Sequence, residues 1–129
     1  MTSTNITYYF DDVSVERNDK SYKVVFEDRD TKVFVRKADV DKIYEYTYYE
    51  DGLIAILLGY IELSRRLGSA PKEHLDPIDK DVMLEAIKKI FDKGYFIEEL
   101  IEDVQEFKWH EITEVFTSAH PFAALKNLV

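Results

Sequence analysis

The sequence predicts an α+β fold, in which an N-terminal antiparallel meander of about four strands packs against a C-terminal group of three to five helices. Two patterns carry this prediction. In the first third of the chain apolar residues occupy alternate positions, which is the period of half-buried strands. From residue 51 onward they recur three and four apart, as in amphipathic helices. The 129 residues suit one core, so we expect a single α+β domain over residues 1–129.

Four short segments favour strands. Residues 22–27 and 32–36 alternate in the required way, and the short polar segment 28–31 between them suits a hairpin loop. Residues 6–10 and 13–16 are two further strand candidates. Because the connections are short, an antiparallel meander is the simplest topology.

Residues 43–49, Ile-Tyr-Glu-Tyr-Thr-Tyr-Tyr, are compatible with two structures. Tyr and Thr favour strands, and alternation would place Tyr44, Tyr46 and Tyr48 on one face. A helix that begins near Asp39 could also contain this segment. We prefer the strand.

Two helices are predicted from residue 53 to residue 94. Residues 53–67 are apolar on nearly every side until Glu62 and are followed by Gly68, which predicts a buried central helix. Asp76 and Pro77 form a favourable helix start, and Gly94 closes the element. Its apolar stripe comprises Ile78, Val82, Met83, Ala86, Ile87, Ile90 and Phe91.

The C-terminal part of the chain continues the helical pattern. Either one helix or two can span residues 95–117. After His120 and Pro121 we expect a short terminal helix. The residues of these apolar stripes are Phe96, Ile97, Leu100, Ile101, Val104, Phe107, Ile112, Val115, Phe116, Phe122, Leu125 and Leu128.

The net charge of −9 is regional. Residues 1–37 carry seven acids and seven bases, whereas residues 38–129 carry nineteen acids and ten bases. Residues 39–51 alone carry five acids and one base, and residues 95–116 carry seven acids and one base. An acidic chain is a poor binder of nucleic acid or anionic lipid, so we expect no direct nucleic-acid binding and instead a basic protein partner.

Composition also bears on the compartment and the chemistry. The chain has no cysteine, so it forms neither disulfides nor thiolate metal sites. Residues 1–6 do not resemble a secretory signal, and the longest apolar run, 53–58, is too short for a bilayer. We therefore expect a cytoplasmic protein with no membrane span.

The densest group of acids is predicted to lie on one helix and comprises Glu98, Glu99, Glu102, Asp103 and Glu106. Spacing of four residues makes two rows of like charges, and each such pair costs the helix a few tenths of a kcal/mol. A solvated face is the simpler interpretation. The functional interpretation is that these carboxylates meet a basic partner.

A metal site is the alternative interpretation of Glu98, Glu99 and Glu102, because carboxylates at this spacing suit Mg²⁺. The five residues are similar to the EExxE helix of the all-α MazG-like nucleotide pyrophosphohydrolases. The chain departs from that family, since its second acidic pair, Glu111 and Glu114, is too close and its first third is β-rich. We therefore predict no metal and no cofactor.

The second candidate surface combines Tyr44, Tyr46 and Tyr48 with acids that include Asp51. Tyrosine is common both in protein interfaces and in ordinary half-buried sheets. The two interpretations differ in whether the rings are exposed.

The remaining patterns argue against catalysis. His74, His110 and His120 show no metal-ligand spacing, and the chain contains neither a nucleophile elbow nor a glycine-rich phosphate loop. We expect a non-catalytic inhibitor, or an immunity or anti-defence protein, that engages a nuclease or another nucleic-acid-binding protein. The alternatives are a small-molecule-binding or Mg²⁺-dependent nucleotide-processing enzyme with a carboxylate-lined pocket, and a self-associating assembly subunit.

Overall fold

The computed structural model describes residues 7–68 and 80–118. The element order confirms the α+β prediction, with a four-stranded antiparallel sheet followed by five α-helices. The strands are β1 (Thr7–Phe10), β2 (Val13–Arg17), β3 (Ser21–Phe26) and β4 (Thr31–Arg36). The helices are α1 (Lys37–Thr47), α2 (Asp51–Gly68), α3 (Lys80–Asp92), α4 (Ile97–Glu106) and α5 (Trp109–Ser118).

The sheet is the predicted meander, because each strand pairs only with its sequence neighbours in the order β1-β2-β3-β4. Pairing of Val15 with Val24, and of Val24 with Val33, places three valines in one buried row. The inner face of the sheet carries the alternate residues Val13, Val15, Tyr22, Val24, Phe26, Val33 and Val35, all of them buried. The period-two pattern therefore identified the core side of the sheet.

Two turns at the same end of the sheet are acidic. Asp11 in the β1–β2 turn and Asp30 before β4 adopt left-handed backbone conformations, with φ of 53° and 50°. Aspartate tolerates this region better than most residues do. The segment Glu27–Arg29 forms a 3-10 turn, and its first amide donates to the Asp12 carbonyl at 3.1 Å, which joins the two turns.

Residues 43–49 are not a strand, so our preferred prediction for them is wrong. The helix α1 begins at Lys37, directly after β4, and buries Val40 and Ile43. These two residues lie three apart and share one helical face, which outweighs the local strand preference of tyrosine and threonine. The backbone leaves α1 at Tyr48, which has a left-handed φ of 59° and donates its amide to the Tyr44 carbonyl at 2.7 Å.

The predicted buried helix is confirmed as α2. Its residues 54–59 are all buried. Gly59 allows a close approach to the sheet, because a methyl group there would lie 3.0–3.1 Å from the Val24 side chain. The rings of Phe26 and Tyr60 are also in contact, with centroids 4.7 Å apart.

Residues 95–117 form two helices rather than one, and the break falls at residues 107–108, between α4 and α5. The core of this part of the chain contains Leu84, Ala86, Ile87, Ile90, Ile97, Leu100, Ile101, Val104, Trp109, Ile112, Val115 and Phe116. Val82 and Phe96 were predicted to belong to the apolar stripes, but both are exposed. Gly94 has a φ of +98° and follows α3, as the predicted helix end requires.

Contacts divide the chain into two compact units, residues 1–62 and residues 63–129. The single-domain assignment stays a prediction. The predicted helix start at Asp76 and Pro77 and the terminal helix after His120 lie outside the described residues. Among the described residues, no helix is both long enough and apolar enough to cross a membrane.

Candidate functional site

The Asp51 carboxylate, at the first residue of α2, accepts four hydrogen bonds. Its Oδ1 accepts hydrogen bonds from the Tyr8 hydroxyl at 2.8 Å and from the Gly52 amide at 3.0 Å. Its Oδ2 accepts from the Tyr22 hydroxyl at 2.9 Å and from Arg17 Nη1 at 3.0 Å. One side chain therefore joins β1, β2 and β3 to the start of α2.

The electrostatics of this Asp51 network favour the ionised carboxylate. Burial by itself would raise the pKa of Asp51, but the hydrogen bonds from Tyr8, Tyr22 and Arg17 together lower it. The pKa of Tyr22 is raised by burial and by its hydrogen bond to Asp51. The pKa of Tyr8 is raised chiefly by its own bond to Asp51. Both hydroxyls thus stay protonated as donors.

Gly52 is needed for this arrangement. A methyl group at position 52 would lie 2.6 Å from Cδ2 and 2.8 Å from Cδ1 of the Tyr8 ring. Real Cβ atoms are essentially never found so close to other heavy atoms. The glycine therefore allows the ring to pass over the start of α2 on its way to the carboxylate.

The Asp51 network connects the sheet to the start of α2. Each of the two carboxylate oxygens already accepts two hydrogen bonds, so the group is poorly placed to take a proton or a metal ion. We predicted from the sequence that Asp51 binds a partner. In the structure its carboxylate is hydrogen-bonded to side chains of the same chain. The partners Tyr8, Arg17 and Tyr22 were not predicted, since nothing in the local sequence relates them to a residue up to 43 positions away.

The three predicted tyrosines are exposed. Tyr44, Tyr46 and Tyr48 have 42%, 46% and 76% of their surface accessible. The rings of Tyr44 and Tyr48 meet edge to face with centroids 5.8 Å apart, and Glu45 between them is exposed. We call Tyr44, Glu45 and Tyr48 the tyrosine surface. Tyr46 is two residues from Tyr44 on α1 and therefore lies on a different side of the helix. A half-buried sheet does not account for these rings.

The predicted acidic group divides into two parts on α4. Glu98, Glu102 and Glu106 are exposed and lie four residues apart on one side of the helix, and we call them the α4 acidic row. Asp103 is only 4% exposed, so it lies off this row on the buried side.

Glu99 has a structural role, because its Oε1 accepts a hydrogen bond from the Phe96 amide at 3.0 Å and so satisfies a donor before the first turn of α4. Glu111 does the same for α5, where its Oε1 accepts from the Lys108 amide at 2.9 Å. Two of the glutamates considered as metal ligands are thus explained by helix capping.

Within the described part of the chain, no three His, Asp or Glu side chains are grouped so as to hold a metal ion. His110 is exposed. His74 and His120 lie outside the described residues.

A further surface was not identified from the sequence. It is the outer face of the sheet, opposite the buried valines, and carries Tyr9, Glu16, Lys23, Lys32, Phe34 and Arg36. Phe34 is 56% exposed and Tyr9 is 75% exposed. The sequence of β4 does contain a signal for this surface, because the residues that alternate with Val33 and Val35 are Lys32, Phe34 and Arg36. We call this surface the outer sheet face.

The chain matches no protein-family model, no curated protein and no solved structure.

Proposed function

We propose that the protein is a non-catalytic acidic binding protein that engages a basic protein partner. The observation that carries this proposal is the α4 acidic row. Glu98, Glu102 and Glu106 are exposed together, while the core of α4 is made by other residues of the same helix.

The spacing of the row places like charges next to one another on the helix. The pairs Glu98–Glu102 and Glu102–Glu106 each bring two like charges together, and each pair destabilises the helix by a few tenths of a kcal/mol. The helix dipole favours acids only in the first turn, so it does not help Glu106. A binding role supplies a reason for three exposed carboxylates on one side of this helix.

The partner class follows from charge. A compact surface of carboxylates competes with phosphate for clefts rich in arginine and lysine, and complementary charge also speeds the encounter. Nucleases and other nucleic-acid-binding proteins have such clefts. The protein would then act as an inhibitor, in the manner of an immunity or anti-defence protein.

The tyrosine surface supports the same proposal from the first unit. Tyrosine adds large contact area with a polar tip, and it is enriched at the energetic centres of protein interfaces. Tyr44 and Tyr48 are exposed next to Glu45, so aromatic and acidic groups are available together. An arginine side chain would find both a ring and a carboxylate there.

The test is a comparison of two variants with the same change in net charge. The first replaces the row with Glu98→Gln, Glu102→Gln and Glu106→Gln. The control replaces three exposed acids of the β3–β4 turn with Glu27→Gln, Asp28→Asn and Asp30→Asn. Each protein is used to capture partners from a lysate of the source organism, at low and at physiological salt. Captured proteins are identified by mass spectrometry. They are then purified, and their affinities for the three proteins are measured.

We expect the row variant to bind the purified partner at least tenfold more weakly, with less salt dependence, and the control variant to bind like the unmodified protein. The row variant should also be more stable to denaturant by about 0.5 kcal/mol, because like-charge pairs are removed. Equal affinities of the two variants would refute the role of α4.

A second measurement addresses the enzyme alternative. If Mg²⁺ or Mn²⁺ raised the melting temperature and Glu102→Gln abolished that rise, a metal-dependent activity would replace the binding proposal.

A further inference from the structure

The outer sheet face places one aromatic ring among three cations. Phe34 faces Lys23 on the adjacent strand β3, and Lys32 and Arg36 precede and follow it by two residues on β4. Side chains directly opposite each other in a sheet have Cβ atoms roughly 5 Å apart, and those two residues apart on one strand are separated by roughly 7 Å. All three cations are therefore neighbours of Phe34 on this face of the sheet.

These cations are available to a ligand. Within the described part of the chain, neither Lys32 nor Arg36 pairs with an acidic residue. Lys23 lies 3.7 Å from Glu16, and both side chains are about one-third exposed. Such a surface pair is worth at most about 1 kcal/mol, so a stronger anion can displace it.

The local charge differs in sign from that of the whole chain. On the outer sheet face the described strands present three cations, Lys23, Lys32 and Arg36, against the single acid Glu16. The other acids of this part of the sequence lie in the turns, at Asp11, Asp12, Asp19, Glu27, Asp28 and Asp30. Charges beyond about 8 Å are largely screened at physiological salt. The nearest turn acid along the chain, Asp30, is four residues from Phe34, so the adjacent cations dominate what the surface around Phe34 attracts.

The ligand must account for both the ring and the cations. A purely apolar partner would leave three cations unused, and a simple anion would leave Phe34 exposed. Single-stranded nucleic acid uses both, because its bases stack on aromatic side chains while its phosphates pair with lysine and arginine. Tyr9, at the other edge of the same face and 75% exposed, offers a second ring. It is in register with Lys32, three strand spacings away, which places it roughly 16 Å from Phe34.

We propose that the outer sheet face binds single-stranded nucleic acid, with a base stacked on Phe34 and the flanking phosphates held by Lys23, Lys32 and Arg36. The proposal is independent of the α4 acidic row and of its basic partner. It revises our expectation that the protein does not bind nucleic acid directly. That expectation came from the net charge of the chain, which does not distinguish the outer face of the sheet from its acidic turns. Recognition by stacking and phosphate contact is tolerant of sequence.

The test measures fluorescence anisotropy of a labelled deoxythymidine oligomer of about 12 nucleotides, a length that suits a single small binding face. We expect binding at low salt that weakens steeply as salt rises. Phe34→Ala should weaken binding roughly tenfold, and Phe34→Tyr should restore most of it, because a stacking surface is retained. Lys32→Gln with Arg36→Gln should reduce the slope of log affinity against log salt by roughly 0.7 for each cation removed.

Matched controls are provided by the second unit. Phe96→Ala removes a phenylalanine of similar exposure, and Lys89→Gln removes an exposed cation of α3. Both should bind the oligomer like the unmodified protein. Circular dichroism of each variant establishes that the fold is retained.

Three results would overturn the proposal. One is the same affinity for the oligomer with Phe34→Ala as with Phe96→Ala. Another is binding of heparin, a polyanion without bases, that Phe34→Ala weakens as much as it weakens binding of the oligomer, because the ring would then not act by base stacking. The last is a concentration-dependent dimer that Phe34→Ala dissociates, which would make a second copy of the chain the occupant of this face.

Discussion

The Tyr22 hydroxyl donates to Asp51 Oδ2 at 2.9 Å, and this bond joins the middle of the sheet to the first residue of the buried helix α2. The same oxygen accepts from Arg17 at 3.0 Å. Because the donors come from separate strands, the carboxylate determines where α2 starts relative to the sheet.

Replacement of Asp51 by asparagine should destabilise the protein by about 1–3 kcal/mol. The amide oxygen can replace only part of the carboxylate, so the Arg17 charge and one tyrosine hydroxyl lose a strong acceptor. Asp41→Asn is the matched control, because Asp41 makes a single exposed pair with Lys37 at 3.3 Å and its loss should cost less than about 0.5 kcal/mol. Denaturant titration of the three proteins measures the difference. Equal losses of unfolding free energy in the two variants would show that the Asp51 network does not stabilise the protein more than a surface ion pair does.

The contribution of Asp51 should depend on pH. Its pKa in the folded protein is lower than the ordinary value of 3.8, so its stabilising effect is fully present above that value and is lost as pH falls through the folded pKa. The difference in unfolding free energy between the unmodified protein and Asp51→Asn should therefore be constant near neutrality and shrink below about pH 4. A difference that grew with acidity would contradict the predicted direction.

The Tyr22 hydroxyl should ionise late in an alkaline titration. Burial, its hydrogen bond to Asp51 and the negative charge of Asp51 raise its pKa well above the ordinary value of 10.0. Stability gained from this group is present below about pH 10 and is lost as pH rises toward the folded pKa. Ultraviolet absorbance of tyrosinate should show a late phase at high pH, and Tyr22→Phe should remove it. The control Tyr9→Phe, which removes the hydroxyl of an exposed tyrosine, should keep the late phase.

Gly52→Ala should destabilise the protein by about 1–2 kcal/mol, although alanine is the better helix former by about 1 kcal/mol. The cause is overlap of the new methyl group with the Tyr8 ring. In a Tyr8→Ala background the same substitution should become neutral or stabilising, and a double-mutant cycle measures the coupling. Additive effects would mean that the ring is not what position 52 accommodates.

The strands were predictable because their signal is local. In β4 the alternation of Val33 and Val35 with longer polar residues already separates the two faces. The same kind of signal was misleading for α1, since tyrosine and threonine favour strands, whereas the burial of Val40 and Ile43 on one helical side depends on the rest of the fold.

The candidate surfaces were only partly predictable. Exposure of Glu98, Glu102 and Glu106 follows from helical spacing, and Asp103 separates from them for the same reason. The role of Asp51 did not follow, because the tyrosine at its Oδ1 lies 43 residues away and strand register is set by tertiary packing. The net charge of residues 1–37 is zero, and this sum also concealed the outer sheet face. The fold places Lys23, Lys32 and Arg36 together on that face, apart from most of the acids that balance them.

The meander has a consequence for the order in which the protein folds. Its strands are joined by only two to four residues, so each pairing closes a short loop and forms early, on the microsecond scale typical of hairpins. The bond from Tyr8 to Asp51 closes a loop of 43 residues and should form after the folding transition state. Tyr8→Phe is then expected to speed unfolding while leaving the folding rate nearly unchanged, which chevron kinetics would measure. The Asp51 network would in that case determine how long the first unit stays folded, and the hairpins how quickly it folds.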